Sequence, residues 1–345
     1  MRQPLKDLSP PMQTCVLIPT RNRPRELQVS LASVLAQDES LLGQIIVSDN
    51  SDNDDTAAVI AGFKHPALRY ERLAPVIHDP IERTRRLYAQ SRCAYTAILH
   101  DDDWWHPDHL RQSLQAMQEH PQAGLCGSSH LIWDEASSGN RLENPAIEIL
   151  HAMHNTRASL DRMLIKGDEL LICAALGAFV HYSTMVMTRR FLDRIEDILL
   201  PGLFVFDTDR LHFLLARDVG GVVINVAPSA TVRVHAAQES ARLQGDSLQL
   251  CRPVSQRVWE LISAANPSEI VGRIGGLYER AMNRPDGDLF HALVHLTHWI
   301  PLAPELEVQI PQRRQLLELD ACRRSRRRRW IHRARQLLGP LTQRS

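Results

Sequence analysis

Short apolar runs alternate with helix-like segments along the first third of the chain, and this alternation constrains the fold most. The runs cover residues 14–18, 44–48, 68–70 and 95–99, with 68–70 the weakest. Their length and apolar character predict buried strands, and between them the apolar residues recur at helical spacing. Strands and helices in this order predict an α/β fold with a mostly parallel sheet and helices on both faces.

Polar segments follow three of these predicted strands, at residues 19–23, 49–55 and 101–103. The carboxyl ends of parallel strands meet at one edge of a sheet, and ligands bind beyond that edge. We therefore expect the three segments to converge on one crevice. Taken singly, such residues are often turn residues or solvated charges. Together they offer the cations, carboxylates and amides that suit a nucleotide diphosphate with its metal.

Three consecutive aspartates, Asp101 to Asp103, follow the fourth run after a single residue, His100. Carboxylates this close repel one another unless a positive group lies among them, and a divalent cation would supply that charge. The run is also compatible with a solvated acidic turn that caps the next helix, since aspartate is favoured at helix starts. The aspartates are therefore candidate metal ligands, and a plain acidic turn is the alternative.

The charge balance and the cysteines limit the class of protein. Of 345 residues, 40 are Lys or Arg and 40 are Asp or Glu, and this balance argues against a nucleic-acid partner. Six cysteines without CxxC spacing favour a reducing compartment. Residues 1–13 lack the apolar core of a secretory signal, and the longest strongly apolar run, 170–180, is too short to span a bilayer. We therefore expect a cytoplasmic protein.

Three segments carry a family resemblance: residues 16–23 (VLIPTRNR), 45–51 (IIVSDNS) and 99–110 (LHDDDWWHPDHL). In this order and at this spacing they resemble the opening, second-strand and DXD segments of family 2 glycosyltransferases of the GT-A fold. The likeness extends over roughly the first 240 residues. It implies an inverting transfer of a sugar from a nucleotide sugar to an acceptor hydroxyl, assisted by Mg²⁺ or Mn²⁺. A saccharide or lipid-linked acceptor and a role in polysaccharide biosynthesis would follow.

The resemblance also implies which residues bind the nucleotide sugar. Pro19, Thr20 and Arg21 would line the base and ribose, and Asp49 would hydrogen-bond the nucleobase. Arg85 would face the diphosphate or the sugar. The chain departs from the family's residue types at position 86, where Arg replaces a common Asn, and at position 100, where His replaces a common Asp.

For the aspartate run, the resemblance implies a division of roles that the sequence leaves open in detail. Asp101 would hold the ribose or sugar, with Asp102 beside it in the nucleotide-sugar site. Asp103 would ligate the metal, with Asp101 as a further ligand. His235, in a segment similar to the family's closing Arg-x-His, would lie near the metal or diphosphate.

Two acids, Asp207 and Asp209, precede an apolar helix-like segment at residues 211–216. Their segment resembles the family's acidic motif, whose carboxylate deprotonates the acceptor hydroxyl, and we favour Asp209 over Asp207 as the base. Acids at a helix start are also explained by capping and by the helix dipole, without any catalytic role.

We expect two units in the chain. Residues 1–245 would form the GT-A glycosyltransferase domain, with a nucleotide-binding half at about 12–128 and an acceptor half at about 129–245. Within the acceptor half, residues 149–172 are helix-like. Residues 246–345 would form a helical C-terminal extension with an Arg-rich tail.

The tail, residues 316–338, combines an arginine cluster with an apolar edge. Such a helix can lie on an anionic membrane surface, where a lipid-linked acceptor would be found. We predict weak peripheral attachment at the inner face of the membrane. A solvated charged tail is the alternative.

Other classes of nucleotide-binding protein fit less well. A sugar nucleotidyltransferase typically carries a glycine-rich loop after its first strand, and a nicotinamide dehydrogenase needs GxGxxG there, but residues 19–24 contain no glycine. A non-catalytic protein that only binds a sugar nucleotide remains the alternative to an enzyme.

Overall fold

The structure is a computed structural model, and it describes residues 13–136, 140–143, 146–154, 161–177, 179–201, 208–235 and 247–283. The strands are β1 (Thr14–Thr20), β2 (Leu42–Asp49), β3 (Leu68–Arg72), β4 (Tyr95–Ile98), β5 (Trp104–Trp105), β6 (Leu125–Asp134), β7 (Asn140–Glu143), β8 (Arg162–Ile165), β9 (Val186–Thr188) and β10 (Val222–Val234). The helices are α1 (Pro24–Leu35), α2 (Asp55–Ile60), α3 (Pro80–Tyr88), α4 (His109–Glu119), α5 (Ala146–His154), α6 (Asp168–Leu176), α7 (Arg189–Leu192), α8 (Thr208–Asp218), α9 (Ser247–Ala264) and α10 (Pro267–Asn283).

Within the described residues, the strands form one sheet in the order β3-β2-β1-β4-β9-β6-β10-β5, with β7 paired to β6 and β8 to β10. The first four strands are parallel, as their sequence rhythm predicts. Beyond β4 the sheet is mixed, because β9 runs antiparallel to both β4 and β6 while β6 and β10 are parallel. The carboxyl ends of β1, β2 and β4 therefore lie at one edge, and Thr20 is the register partner of Asp49.

Alternate residues of the central strands enter two separate apolar clusters, so the sheet is covered on both faces. In β1, Leu17 belongs to one cluster, and Val16 and Ile18 belong to the other. The face of Val16 and Ile18 is covered by α1, α2 and α4. The face of Leu17 is covered by α3 and by the helices α5 to α10 of the second half. The predicted α/β fold with helices on both faces is confirmed.

Residues 149–172 are not one helix. The structure has α5 there, then strand β8, and then the start of α6. The strand forms because residues 162–165 pair antiparallel with the first part of β10, so sheet pairing overrides the helix-like spacing of these residues. The helix preference is retained only on either side of the strand.

Helices α9 and α10 pack on α6 and continue its apolar core. Val258 and Ile274 are buried in the same cluster as Leu171. Arg210 of α8 is also buried, and it donates to Ser255 Oγ of α9 (3.1 Å) and to the Ala174 carbonyl of α6 (2.6 Å). The predicted helical character beyond residue 245 is present as far as the chain is described. The Arg-rich tail lies outside the described residues.

Candidate active site

The loops after β1 and β2 are joined by hydrogen bonds at the carboxyl edge of the sheet. The Asn50 amide donates to the Thr20 carbonyl (2.9 Å), and the Asn22 amide donates to Ser51 Oγ (2.8 Å). Asn22 and Asp52 also exchange two hydrogen bonds of 3.0 Å. Asn22 has a positive φ of 55°, a conformation that asparagine tolerates better than most residues. The two loops thus form one rigid rim.

Asp101 joins this rim to the turn after β4, residues 101–103, which we call the aspartate turn. Its Oδ2 accepts from Thr20 Oγ1 (2.7 Å) and from the Arg21 amide (3.3 Å), while its Oδ1 accepts from Arg23 Nη1 (3.0 Å). The side chain is almost fully buried. Asp101 thus joins the segment 101–103 to the segment 19–23, which is itself hydrogen-bonded to the segment 49–55, so the three polar segments converge as expected.

Asp102 turns toward a different pair of partners. Its Oδ2 accepts from Arg23 Nη1 (2.7 Å) and lies 3.2 Å from His235 Nε2. An ionised carboxylate can only accept, so His235 Nε2 carries the proton in this contact. His235 follows β10, and the contact brings the start of the aspartate turn and the far end of the sheet together.

Asp103 is enclosed by hydrogen bonds. Oδ1 accepts from the Arg233 amide (2.9 Å), and Oδ2 accepts from Ser183 Oγ (2.5 Å). The side chain is 2% exposed. Asp103 therefore ties the turn to β10 and to the 3₁₀ turn Tyr182–Thr184.

Burial sets the protonation of this turn. It raises the pKa of Asp101 to about 6, and the Arg23 cation only partly opposes it. It also raises the pKa of Asp103 to about 6, with the neighbouring charge of Asp102 acting in the same direction. Burial works against ionisation of Asp102 as well, but the nearby His100 and Arg23 side chains and the hydrogen bond from His235 outweigh it and lower that pKa. Asp102 is the carboxylate of the three that its surroundings keep charged.

Asp103 also belongs to a group of three side chains that could hold a metal ion. His100, Asp103 and His181 offer ligand atoms that all lie within 4.8 Å of one another. His181 Nδ1 and His100 Nδ1 are 3.6 Å and 3.9 Å from Asp103 Oδ2. Burial lowers the pKa of His181 to about 4, so its imidazole is neutral at physiological pH, as a metal ligand must be.

Asp49 is completely buried at the end of β2. Its Oδ1 accepts from the Ser51 amide (2.9 Å) and its Oδ2 from the Tyr70 hydroxyl (2.7 Å). These two bonds orient the carboxylate at the rim. Pro19 lies one residue before the end of β1, opposite Ser48.

Arg85 lies on α3, where its guanidinium pairs with Glu196 through contacts of 2.7 to 3.0 Å. Both side chains are about half exposed. The resemblance had placed Arg85 toward the diphosphate or sugar. Here the structure does not bring its guanidinium into the hydrogen-bond network of the aspartate turn.

A buried chain of hydrogen bonds leads to the start of α8, where Asp209 lies. Tyr182 and Tyr88 share a short hydroxyl contact, Tyr88 OH lies 3.1 Å from His212 Nε2, and His212 Nδ1 lies 2.7 Å from the Thr208 carbonyl. A carbonyl only accepts, so Nδ1 carries the proton and Tyr88 donates to Nε2. Burial raises the pKa of both tyrosines, and the negative charge of Asp209 nearby raises it further.

The other end of this chain, Tyr182, lies close to the aspartate turn, because its ring is 5.2 Å from the ring of His100, the residue before Asp101. The start of α8, with Asp209, is therefore connected to the aspartate turn through the 3₁₀ turn. Asp207 lies outside the described residues.

Sequence reasoning missed the roles of Arg23, Ser183 and the Tyr88–Tyr182–His212 chain. Arg23 lies in the segment 19–23, which was expected to converge with the three aspartates 101–103. A positive charge brought to an acidic turn was therefore the available sign that Arg23 would pair with it. The tyrosine chain joins residues 94 and 124 positions apart, and no local pattern marks such distant partners.

Among the helices that the structure describes, none is both long enough and apolar enough to cross a bilayer.

Comparison with solved structures shows that this architecture is the GT-A fold. Over 84% of this chain and 82% of the other, it resembles the crystal structure of S. aureus TarS 1-349 in complex with UDP-GlcNAc, with a TM-score of 0.57 and 14% identity. The complex of TarS 1-349 with UDP gives a TM-score of 0.56 at 14% identity, over 88% of this chain and 87% of that one. At this identity the likeness establishes the fold.

Sequence comparison adds a relative and a family. Protein CgeD of Bacillus subtilis (strain 168) is 25% identical over 167 residues, which are 45% of this chain and 36% of that protein. The chain thus matches little more than a third of that relative's length. The model of glycosyl transferase family 2 matches residues 15–194, about half of this chain. The sequence resemblance is confirmed, and the chain belongs to glycosyl transferase family 2.

Proposed function

We propose that this protein transfers a sugar from a nucleoside diphosphate sugar to an acceptor hydroxyl, with inversion at the anomeric carbon. The observation that carries the proposal is the junction at Asp101, where the ends of β1 and β4 meet. Asp102 and His235 lie beside it. Family membership supports glycosyl transfer, and the geometry supports one crevice in which a diphosphate and a cation would be held.

The nucleotide would lie along the rim made by the β1 and β2 loops. Thr20 and Arg21 both donate to Asp101, and the three residues would face the ribose and sugar, with Pro19 beside them. Asp49, fixed by Tyr70, would orient the base end. Arg85 would reach the diphosphate only by leaving Glu196. TarS binds UDP-GlcNAc and UDP, which makes uridine diphosphate sugars the first donors to test.

Asp102 and His235 would hold Mg²⁺ or Mn²⁺. Their side chains fit such an ion, because carboxylate oxygen and imidazole nitrogen both suit a divalent cation and already lie 3.2 Å apart, and the ion would take the place of the Nε2 proton. The bound ion would neutralise the charge that develops on the leaving diphosphate. Asp101 would be a further ligand. Asp103 was the ligand predicted from sequence, but both of its oxygens are engaged, so we assign it to holding the turn.

Asp209 would act as the base. It lies in the first turn of α8, where the helix dipole favours its charged form. That carboxylate would take the proton from the acceptor hydroxyl as the oxygen attacks the anomeric carbon from the side opposite the leaving group. One displacement of this kind inverts the anomeric centre. Asp207 is the second candidate for this role.

A saccharide or a lipid-linked saccharide would be the acceptor, as in polysaccharide biosynthesis. Attachment to the inner face of a membrane through residues 316–338 stays a prediction, because that segment lies outside the described residues. The division of the chain at residue 245 was predicted from the sequence. We propose instead that the transferase domain continues through α9 and α10, since they share its core.

The test is nucleoside diphosphate release from a panel of UDP, GDP and dTDP sugars with Mn²⁺, using wild type, Asp209→Asn and Asp218→Asn. Asp218 is exposed at the other end of the same helix and serves as the control. We expect Asp209→Asn to lower turnover by about 10² or more, the usual size of general-base catalysis. Donor-induced thermal stabilisation should be kept, and Asp218→Asn should behave like wild type.

Two outcomes would refute the transferase. Thermal stabilisation by a sugar nucleotide without any turnover would identify a binding protein. Synthesis of a sugar nucleotide from a nucleoside triphosphate and a sugar phosphate would identify a nucleotidyltransferase.

A further inference from the structure

Arg23 places one guanidinium nitrogen between two carboxylates of the aspartate turn. Its Nη1 lies 3.0 Å from Asp101 Oδ1 and 2.7 Å from Asp102 Oδ2. The Arg23 side chain is 26% exposed, whereas the side chains of Asp101 and Asp102 are 6% and 12% exposed. The two ion pairs are thus largely shielded from water, where charge-assisted hydrogen bonds are strong.

The loop that carries Arg23 holds it in this place. Asn22, just before it, is fixed to the β2 loop by its bonds to Ser51 and Asp52. Pro24, just after it, begins α1 with a fixed φ. Arg23 is therefore directed into the turn from a rigid backbone on both sides, and a change in its contacts would come from its side chain.

The oxygen that Arg23 occupies is also the one that faces His235. Asp102 Oδ2 accepts from Arg23 and lies 3.2 Å from His235 Nε2. A cation held by Asp102 and His235 would need this oxygen and the Nε2 lone pair, so His235 would bind it with its proton on Nδ1 instead of Nε2. Two positive charges that require the same carboxylate oxygen repel each other, so the cation and the Arg23 contact are in competition.

We propose that Arg23 is a built-in counter-cation that competes with the divalent ion for Asp102 and so sets the metal affinity of the site. The inference rests on the proposed function, because it assumes that Asp102 and His235 hold the ion. Arg23 neutralises the acidic turn while the ion is absent, and this explains how the turn tolerates adjacent buried carboxylates. Binding of the ion then requires the guanidinium to leave Asp102.

The experiment is a titration of the full chain with Mn²⁺ in the absence of nucleotide. It is done at pH 8, where protons compete little for Asp101, and the electron paramagnetic resonance signal of the free Mn²⁺ measures binding. We expect Arg23→Gln to bind Mn²⁺ about tenfold more tightly than wild type, the size expected for loss of one charge-assisted contact. Arg25→Gln is the matched control, because it removes the same charge from an exposed position two residues away. It should leave the affinity unchanged.

Arg23→Lys covers the case in which Arg23→Gln does not fold. Lysine keeps the charge but lacks the planar guanidinium, so we expect Arg23→Lys to bind Mn²⁺ about threefold more tightly than wild type does. Equal or weaker Mn²⁺ binding in the folded Arg23 variants, with wild type binding Mn²⁺, would overturn the competition and leave the metal site standing. If wild type, Arg23→Gln and Arg23→Lys all bind no Mn²⁺, the metal site and the competition both fail.

Discussion

Asp102 and Asp103 are neighbours in the chain, but their side chains have different partners. Asp103 accepts from the buried Ser183 Oγ and from the partly buried Arg233 amide, whereas Asp102 faces Arg23 and His235. A buried donor that loses its acceptor costs about 1–3 kcal/mol. At the residue scale, therefore, substitution of each aspartate should have a different effect.

We predict that Asp103→Ala lowers the free energy of unfolding by about 1–3 kcal/mol for each donor left without an acceptor. Asp102→Ala should lower it by less, because Arg23 keeps Asp101 as a partner and only the His235 N–H loses an acceptor, and should abolish Mn²⁺ binding. Urea unfolding and a Mn²⁺ titration of both variants measure the two effects. Loss of Mn²⁺ binding in Asp103→Ala at unchanged stability would show that Asp103 is the ligand, as the sequence predicted.

The sequence predicted which residues gather at the rim better than it predicted what each does there. Thr20, Asp49 and Asp101 were expected together because each follows a parallel strand, and that expectation depends only on topology. The choice between Asp102 and Asp103 depends on which way each side chain turns. That is decided by Ser183 and Arg233, which are 80 and 130 residues from Asp103 in the chain.

At the scale of elements, the position of α8 depends on the Tyr88–Tyr182–His212 chain. His212 bonds the carbonyl of Thr208, the first residue of α8, and Asp209 is the next residue. Tyr88 fixes the other side of the His212 ring from α3. The chain thus holds the start of α8 against α3 and the 3₁₀ turn, and the Tyr88 hydroxyl is a positioning group for the proposed base.

We predict that Tyr88→Phe lowers kcat about tenfold with little change in the KM for the donor, because a small displacement of a catalytic group costs one to two orders of magnitude in rate. Steady-state kinetics with the donor that supports turnover measures this. Tyr95→Phe is the control, since Tyr95 on β4 is partly buried but its hydroxyl has no hydrogen bond to the residues that the structure describes. Equal kinetics in the two variants would remove the positioning role.

The elements themselves were predictable where local pattern and tertiary context agree. Strands β1, β2 and β4 are buried on both faces of a parallel sheet, so their apolar runs are unambiguous. Strand β8 was missed because residues 162–165 become a strand only through pairing with β10. The free energy gained from that pairing depends on a distant strand, so the local sequence gives no sign of it.

At the scale of the whole molecule, buried titratable groups give the protein a defined pH dependence. Burial lowers the pKa of four histidines to about 3 or 4, namely His109, His130, His181 and His212. Such a group stabilises the fold fully above its unfolded pKa of about 6.5, and that contribution is lost as the pH falls toward the folded value. Asp101 and Asp103, with pKa values raised to about 6, act in the opposite direction, since their contribution is present below about pH 4 and lost as the pH rises to about 6.

The four histidines outweigh the two aspartates, so the metal-free protein should lose stability as the pH falls from 6.5 to 5. One fully neutral buried histidine contributes about 2 kcal/mol over that interval, because each pH unit corresponds to about 1.4 kcal/mol. Urea unfolding at pH 7, 6 and 5 measures the slope. His109→Gln replaces a ring packed on Trp105 and bonded to Ser229. In this variant the loss of unfolding free energy between pH 6.5 and 5 should be smaller than in wild type by about 2 kcal/mol. The exposed His78→Gln should keep the wild-type slope, and a wild-type stability that rises on acidification would show that the aspartates dominate instead.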